Sequence, residues 1–138
     1  EPTKIYTKDL LALIEAVNVH SISHITGGGI ASNVARILPE HVALEIDRAT
    51  WSPLPVFQFL MSSGNLVQQE AEKTFNMGIG MLAVVASGDE SNALAVLRDR
   101  GLTAWTVGTI RARQSEDVSD APAKGGNGGV VKLVSEHQ

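Results

Sequence analysis

Apolar residues recur at helical spacing near the start of the chain. Leu10, Leu11, Leu13, Ile14 and Val17 predict an amphipathic helix over 8–18, with Thr7 as its N-cap and Asn18 as its stop. The pattern then shortens to strand length over 19–25 and runs into three consecutive glycines. A short helix over 30–37 follows, ended by Pro39. Alternation over 42–46 predicts a strand. Ser52-Pro53 opens a helix whose apolar face is Leu54, Val56, Phe57, Leu60 and Met61, and Gly64 ends it. Asn65 is expected to cap a second short helix through about Lys73. The near-continuous apolar run 79–86 has the signature of a central strand buried on both faces. A helix over 89–100 ends at Gly101, and 104–110 reads as another strand.

This order of helices and strands predicts an α+β, layered fold with helices packed on a mixed β-sheet. Composition shifts at Gln114. Ser, Asp, Ala, Pro, Lys and Gly dominate through Gly129, and Val130 to Val134 has the length of one more strand. The expected division is a domain over 1–112 and a loop or flexible tail over 113–138 with a short terminal strand. There is no internal repeat and no heptad run.

The chain has 138 residues, enough to bury roughly two-thirds of its unfolded surface in one core. Only 4% of residues are aromatic and the formal charge is −4. Both disfavour a nucleic-acid surface, which needs stacking platforms and positive potential. One bound phosphate is still compatible, because backbone N–H groups hold it without net positive charge. With no cysteine, disulfides, thiolate nucleophiles and Cys-based zinc sites are excluded, in keeping with a cytoplasmic protein. No apolar run approaches the ~20 residues of a membrane span. The first residues include no Met and read as the middle of a longer chain.

The chemistry concentrates at His24-Ile25-Thr26-Gly27-Gly28-Gly29. A strand, a glycine turn and a helix in succession suit phosphate binding, and equally suit a plain tight turn. No Lys-Ser/Thr follows, so this is not a Walker loop, and the glycine spacing is not a dinucleotide fingerprint. Asn33 and Arg36, three apart on one face of the expected helix, are placed to reach a bound phosphate or a neighbouring domain, or else lie on a solvated helix face. His20 and His24 on a strand lie ~13 Å apart, too far for a metal pair, and no metal ligand is assigned. His24, beside the glycines, is the candidate for acid or electrostatic work, since imidazole exchanges protons near neutral pH, and a buried, satisfied histidine is the competing reading. A second run, Thr74-Phe75-Asn76-Met77-Gly78-Ile79-Gly80-Met81, sets Asn76 at a strand entrance, facing a ligand or forming a turn. Asp47-Arg48 is either a charge pair or a site carboxylate. Trp51 and Trp105 read as core or rim.

Together these runs resemble the aminoimidazole ribonucleotide synthetase (phosphoribosylformylglycinamidine cyclo-ligase) family. The resemblance rests on His24 to Gly29 continuing through Asn33, Arg36, Leu38 and Pro39, on Glu45-Ile46-Asp47, on Phe57-Gln58 with Gly64-Asn65, and on 74–81. It begins with Glu1-Pro2-Thr3 to Tyr6 and covers 1 to about 111 with order and spacing kept. The resemblance implies the C-terminal domain of an enzyme that closes the imidazole ring of formylglycinamidine ribonucleotide. It further implies use of ATP and Mg2+, a dimer in the whole protein, and an N-terminal domain that carries most ATP and metal ligands. It places Thr26, Gly27, Gly28 and Gly29 at a phosphate, Asn33 and Arg36 holding the loop or contacting that phosphate, Asn76 lining the cleft, and His24 at the formyl group. Missing from the chain are that N-terminal domain and a family strand before the first helix. The expectation is therefore an incomplete domain, inactive alone, with an exposed sheet edge. Selenophosphate synthetase, thiamine-monophosphate kinase, the hydrogenase-maturation dehydratase and the substrate-forming amidotransferase share the two-domain plan and are the rival enzymes. A non-catalytic ligand-binding module is the other alternative.

Overall fold

The structure is a computed structural model and describes residues 4–138. Glu1, Pro2 and Thr3, which open the run resembling the family, lie outside the described residues. Twelve elements alternate along the chain. The helices are α1 (Thr7–Ala16), α2 (Gly29–Ala35), α3 (Pro55–Gly64), α4 (Gln68–Thr74) and α5 (Glu90–Asp99). The strands are β1 (Val19–His24), β2 (Val42–Asp47), β3 (Met81–Val85), β4 (Gly108–Ala112) and β5 (Val130–Val134), with 3-10 turns at Arg48–Thr50 and Ser87–Asp89.

This is an α+β fold with a mixed sheet, as expected, but the strands divide into two sheets. In one, β1 pairs antiparallel with β3, and His24 stands opposite Met81. In the other, β2 lies between antiparallel β4 and parallel β5, with Leu44 opposite both Ile110 and Val131. The main core forms where α2 packs Ile30, Ala31, Val34 and Ala35 against Leu44, Ile46, Val131 and Leu133. Trp51, Ala71, Met77 and Ile79 complete it. A smaller cluster around Leu13, Val17 and Ala93 fastens α1 and α5 to the β1–β3 sheet.

Several expectations shift. β3 is not a central strand. Among the described residues it pairs only with β1, and of its five residues only Leu82 is buried. Its other edge faces residues 102–110 across a cleft of about 560 Å³. β4 accordingly starts at Gly108 rather than Ala104: the Val107 carbonyl still accepts the Asp47 amide at 2.8 Å, but among the described residues no strand pairs with 104–106. Asn65 does not cap α4. It ends α3 in the left-handed conformation, φ 49°, and α4 begins three residues later. Thr7 is the first residue of α1, and the capping position falls to Tyr6.

The segment read as a tail is held at several points. Arg111 grips Asp117 through two bonds of 2.6 and 2.7 Å and reaches Glu45 at 3.0 Å. These bonds, with a further one from the Gln114 amide, hold the Asp117 carboxyl well below the usual carboxylate range. Ser119 and Asp120 bond the backbone of Val131 and Leu133, and β5 contributes Val130, Val131 and Leu133 to the interior.

Candidate functional site

The two runs singled out in the sequence meet in space. Antiparallel pairing of β1 with β3 sets the exit of β1 beside the entrance of β3, and the Ile25 amide donates to the Gly80 carbonyl at 2.9 Å. His24, Thr26 and Gly27 are exposed at this rim. Asn76 is half-buried, and its Oδ1 accepts the Gly78 amide at 3.0 Å, closing the turn that carries Met77 and Gly78 at positive φ. The Met77 carbonyl in turn accepts the indole N–H of Trp51 at 3.1 Å, which places Trp51 in the core.

The glycine turn is built from within by Asn33. This side chain is fully buried. Its Nδ2 lies within bonding distance of the carbonyls of Gly29 at 2.8 Å, Thr26 at 3.2 Å and Gly27 at 3.4 Å. Its Oδ1 accepts the Thr26 hydroxyl at 3.3 Å, and its own carbonyl accepts from Ser23 Oγ at 2.9 Å. All of its polar atoms are engaged inside the protein, so it holds the loop. Arg36 is at the opposite end of α2, exposed, in the C-cap position. The shared helix face therefore does not exist: one residue points inward and the other outward. Seven residues of helical rise separate Arg36 from Gly29 by about 10 Å.

The three glycines differ. Gly28 takes φ 101° and Gly29 φ 74°, values that favour glycine. Gly29 is buried against α4. A Cβ there would stand 1.7 Å from the Glu72 carbonyl oxygen, and its amide already donates to Thr26 at 3.3 Å. Gly27 has open space around it. Among the described residues, neither the Gly27 nor the Gly28 amide donates a hydrogen bond within the chain. The unspent donors of the turn are therefore these two.

Beneath the turn is an ion pair that the sequence did not announce. Arg48 binds Glu72 bidentately at 2.7 and 2.7 Å, with side chains only 12% and 5% exposed. Gln68 adds a bond at 2.9 Å, and Arg48 also donates to the Leu133 carbonyl at 2.7 Å. Burial penalises the Glu72 carboxylate, but the bonds from Arg48 and Gln68 outweigh it and hold its pKa below the ordinary value. Arg48 is thus one half of a charge pair with Glu72, while Asp47 caps the following turn by accepting the Ala49 amide at 3.0 Å. Glu72 was hidden because a charged residue inside a short polar helix looks like a solvated face.

An α+β domain with a knitted glycine turn at one rim defines the class. The chain matches the model of the family described as AIR synthase related protein, C-terminal domain, over residues 1–121, and belongs to that family. The phosphoribosylformylglycinamidine cyclo-ligase of Nitrosococcus oceani is 46% identical over 115 residues, 83% of this chain and 32% of its own length. That of Anaeromyxobacter sp. is 48% identical over 116 residues, 84% of this chain and 34% of its own. A Streptomyces fradiae protein that carries the cyclo-ligase name provisionally is 49% identical over 128 residues, 92% of this chain and 70% of its own. This chain thus spans about a third of the first two relatives.

Proposed function

We propose that this chain is the C-terminal part of an ATP-dependent phosphoribosylformylglycinamidine cyclo-ligase acting in purine biosynthesis. The observation that carries the reading is the family match together with relatives named for that activity, at 46–49% identity across most of the chain. The whole enzyme, in this reading, is a cytoplasmic homodimer whose missing part binds most of the ATP and Mg2+. Among the described residues no three His, Asp or Glu side chains gather to hold a cation, and we assign no Mg2+ ligand here. No helix among the described residues is long and apolar enough to cross a membrane.

ATP supplies the phosphoryl group that makes the formyl amide oxygen a leaving group. The amidine-derived nitrogen attacks the same carbon, the C–O bond breaks, phosphate departs and a proton is lost from nitrogen. The residues of this chain supply positioned donors for the developing charge. The free amides of Gly27 and Gly28 suit a phosphate oxygen of the substrate or of ATP. Thr26 and Gly29 shape the turn, with Asn33 fixing it from below. Exposed His24 suits proton transfer at the formyl oxygen, and Asn76 borders the same rim. Arg36, away from the turn, suits a contact with the rest of the enzyme. The chain alone, incubated with formylglycinamidine ribonucleotide, ATP and Mg2+, is expected to form no product, and turnover by the isolated chain would overturn this division of labour.

A further inference from the structure

Between Arg48 and Glu70 lie 21 consecutive residues without a charged side chain, in a chain that is 19% charged. Helix α3 occupies the middle of this stretch, and none of its ten residues is buried. Phe57 and Met61, one turn apart, lean partly on the main core, with the Phe57 ring 6.0 Å from that of Phe75. Val56, Phe59 and Leu60, three and four residues apart, share the outer side and are exposed. Leu54 extends this face at the N-cap, and Leu66 folds back against Gly64 at the other end. Of the ten large apolar side chains exposed among the described residues, these five and Val67 make six. A solvated helix face carries charges, whereas a helix that is apolar all round is built to be covered all round. A short helix resting on two side chains has little else to hold it. A contiguous apolar patch of this kind marks an interface.

We propose that the outer face of α3, from Leu54 to Leu66, is the surface on which the rest of the cyclo-ligase polypeptide docks. The proposal rests on the reading of this chain as one part of that enzyme. Two observations select this occupant. The matched segment is 32% and 34% of the Nitrosococcus and Anaeromyxobacter cyclo-ligases, so most of such an enzyme is left to cover the face. The face is also continuous with the rim of the site. A Cβ at Gly78 would stand 4.0 Å from Leu54 Cγ and from Phe57 Cε2, so the start of α3 abuts the turn that Asn76 closes. A part that brings ATP to that rim comes against α3 beside it. The surface that fits here is itself apolar and uncharged, because residues 49–69 offer a buried charge no ion-pair partner.

The chain has no cysteine, so a single introduced one reports accessibility without background. Phe59→Cys and Leu66→Cys probe the face, and Val118→Cys, at a position 75% exposed on another segment, is the control. Each is reacted with a maleimide in the isolated chain and in the Nitrosococcus oceani cyclo-ligase whose matching segment is replaced by this chain. Peptide mass spectrometry reads the labelled position. Both face positions are expected to label about tenfold or more slowly in the chimera, because reaction there waits for the interface to open, while Val118→Cys keeps its rate. Equal rates at both face positions in the folded chimera would overturn the proposal, as would an equal slowing at all three. Protection in the isolated chain that grows with its concentration would make a second copy the occupant, and also overturns it. Activity separates this proposal from the functional reading. Product from a chimera with an unprotected face keeps the cyclo-ligase and removes the docking; a protected face without product does the reverse. For a chimera that does not fold, co-expression of this chain with the remainder of the Nitrosococcus oceani enzyme takes its place. A complex recovered with the parent chain and lost with Phe59→Asp upholds the proposal; one recovered equally with both, or with neither, overturns it.

Discussion

Asn33 Nδ2 stands 2.8 Å from the Gly29 carbonyl, four residues earlier in the chain, and the same amide nitrogen is within reach of Thr26 and Gly27. One fully buried side chain therefore sets the shape of the whole glycine turn. Asn33→Ala takes the side-chain donor from three carbonyls, of which those of Thr26 and Gly27 keep one other, from the Gly29 amide and Lys124 Nζ, and should cost about 1–2 kcal/mol. Asn33→Asp should be no better, because a carboxylate has no N–H to give. Chemical denaturation measures both, and a loss below about 0.5 kcal/mol for Asn33→Ala, the level of an ordinary surface change, would contradict this role.

Gly29 and Gly27 are adjacent in the motif but not in kind. A side chain at Gly29 meets the Glu72 carbonyl oxygen at 1.7 Å with φ 74°, whereas one at Gly27 meets nothing within 4 Å. Gly29→Ala should destabilise by about 3 kcal/mol or more, and Gly27→Ala by about 0.5 kcal/mol or less. Thermal melts of the two variants check the contrast. Equal melting temperatures would show that the turn does not rest on α4.

The Arg48–Glu72 pair predicts an acid limb in stability. The folded-state pKa of Glu72 lies below its ordinary 4.5, so its stabilisation is present above that value and is lost as pH falls through the folded pKa. Arg48, Gln68 and His137, whose Nε2 is 3.3 Å away, face the carboxylate. Glu72→Gln should flatten the fall in stability below pH 4.5. Glu72→Ala should cost about 3–5 kcal/mol at neutral pH by stranding Arg48. Denaturation at a series of pH values reads both effects, and an unchanged acid limb in Glu72→Gln would refute the assignment.

Among the described residues, one edge each of β3 and β4 is unpaired, on either side of one cleft. Such edges pair with other chains. Sedimentation at rising concentration should show self-association, and a strictly monomeric mass throughout would count against it.

Much of this architecture was legible in the sequence. Apolar spacing and the Pro and Gly punctuation located α1, α2, α3 and α5, although α3 begins at Pro55 rather than at Ser52-Pro53 and leaves Leu54 as its N-cap, and β5 falls on Val130 to Val134 as expected. Local patterns failed where tertiary partners decide. Trp105 packs on the core without joining a strand, so its apolar character mimicked an earlier start of β4. Asn65 suits a helix start and a left-handed helix end alike, and the chain uses the second. At the site, the rim of His24, Thr26 and Gly27 was visible because its residues are contiguous. The Arg48–Glu72 pair beneath it was not, because 24 positions separate the two and Glu72 stands in a short polar helix.

The most direct test replaces the matching segment of the Nitrosococcus oceani cyclo-ligase with this chain and measures ring closure of formylglycinamidine ribonucleotide with ATP. The account predicts a folded chimera that forms product, and a drop of ~10²-fold or more in turnover when His24→Ala is introduced. A folded chimera without activity would contradict the assignment of this chain to the cyclo-ligase, and an active one indifferent to His24→Ala would remove that histidine from the chemistry.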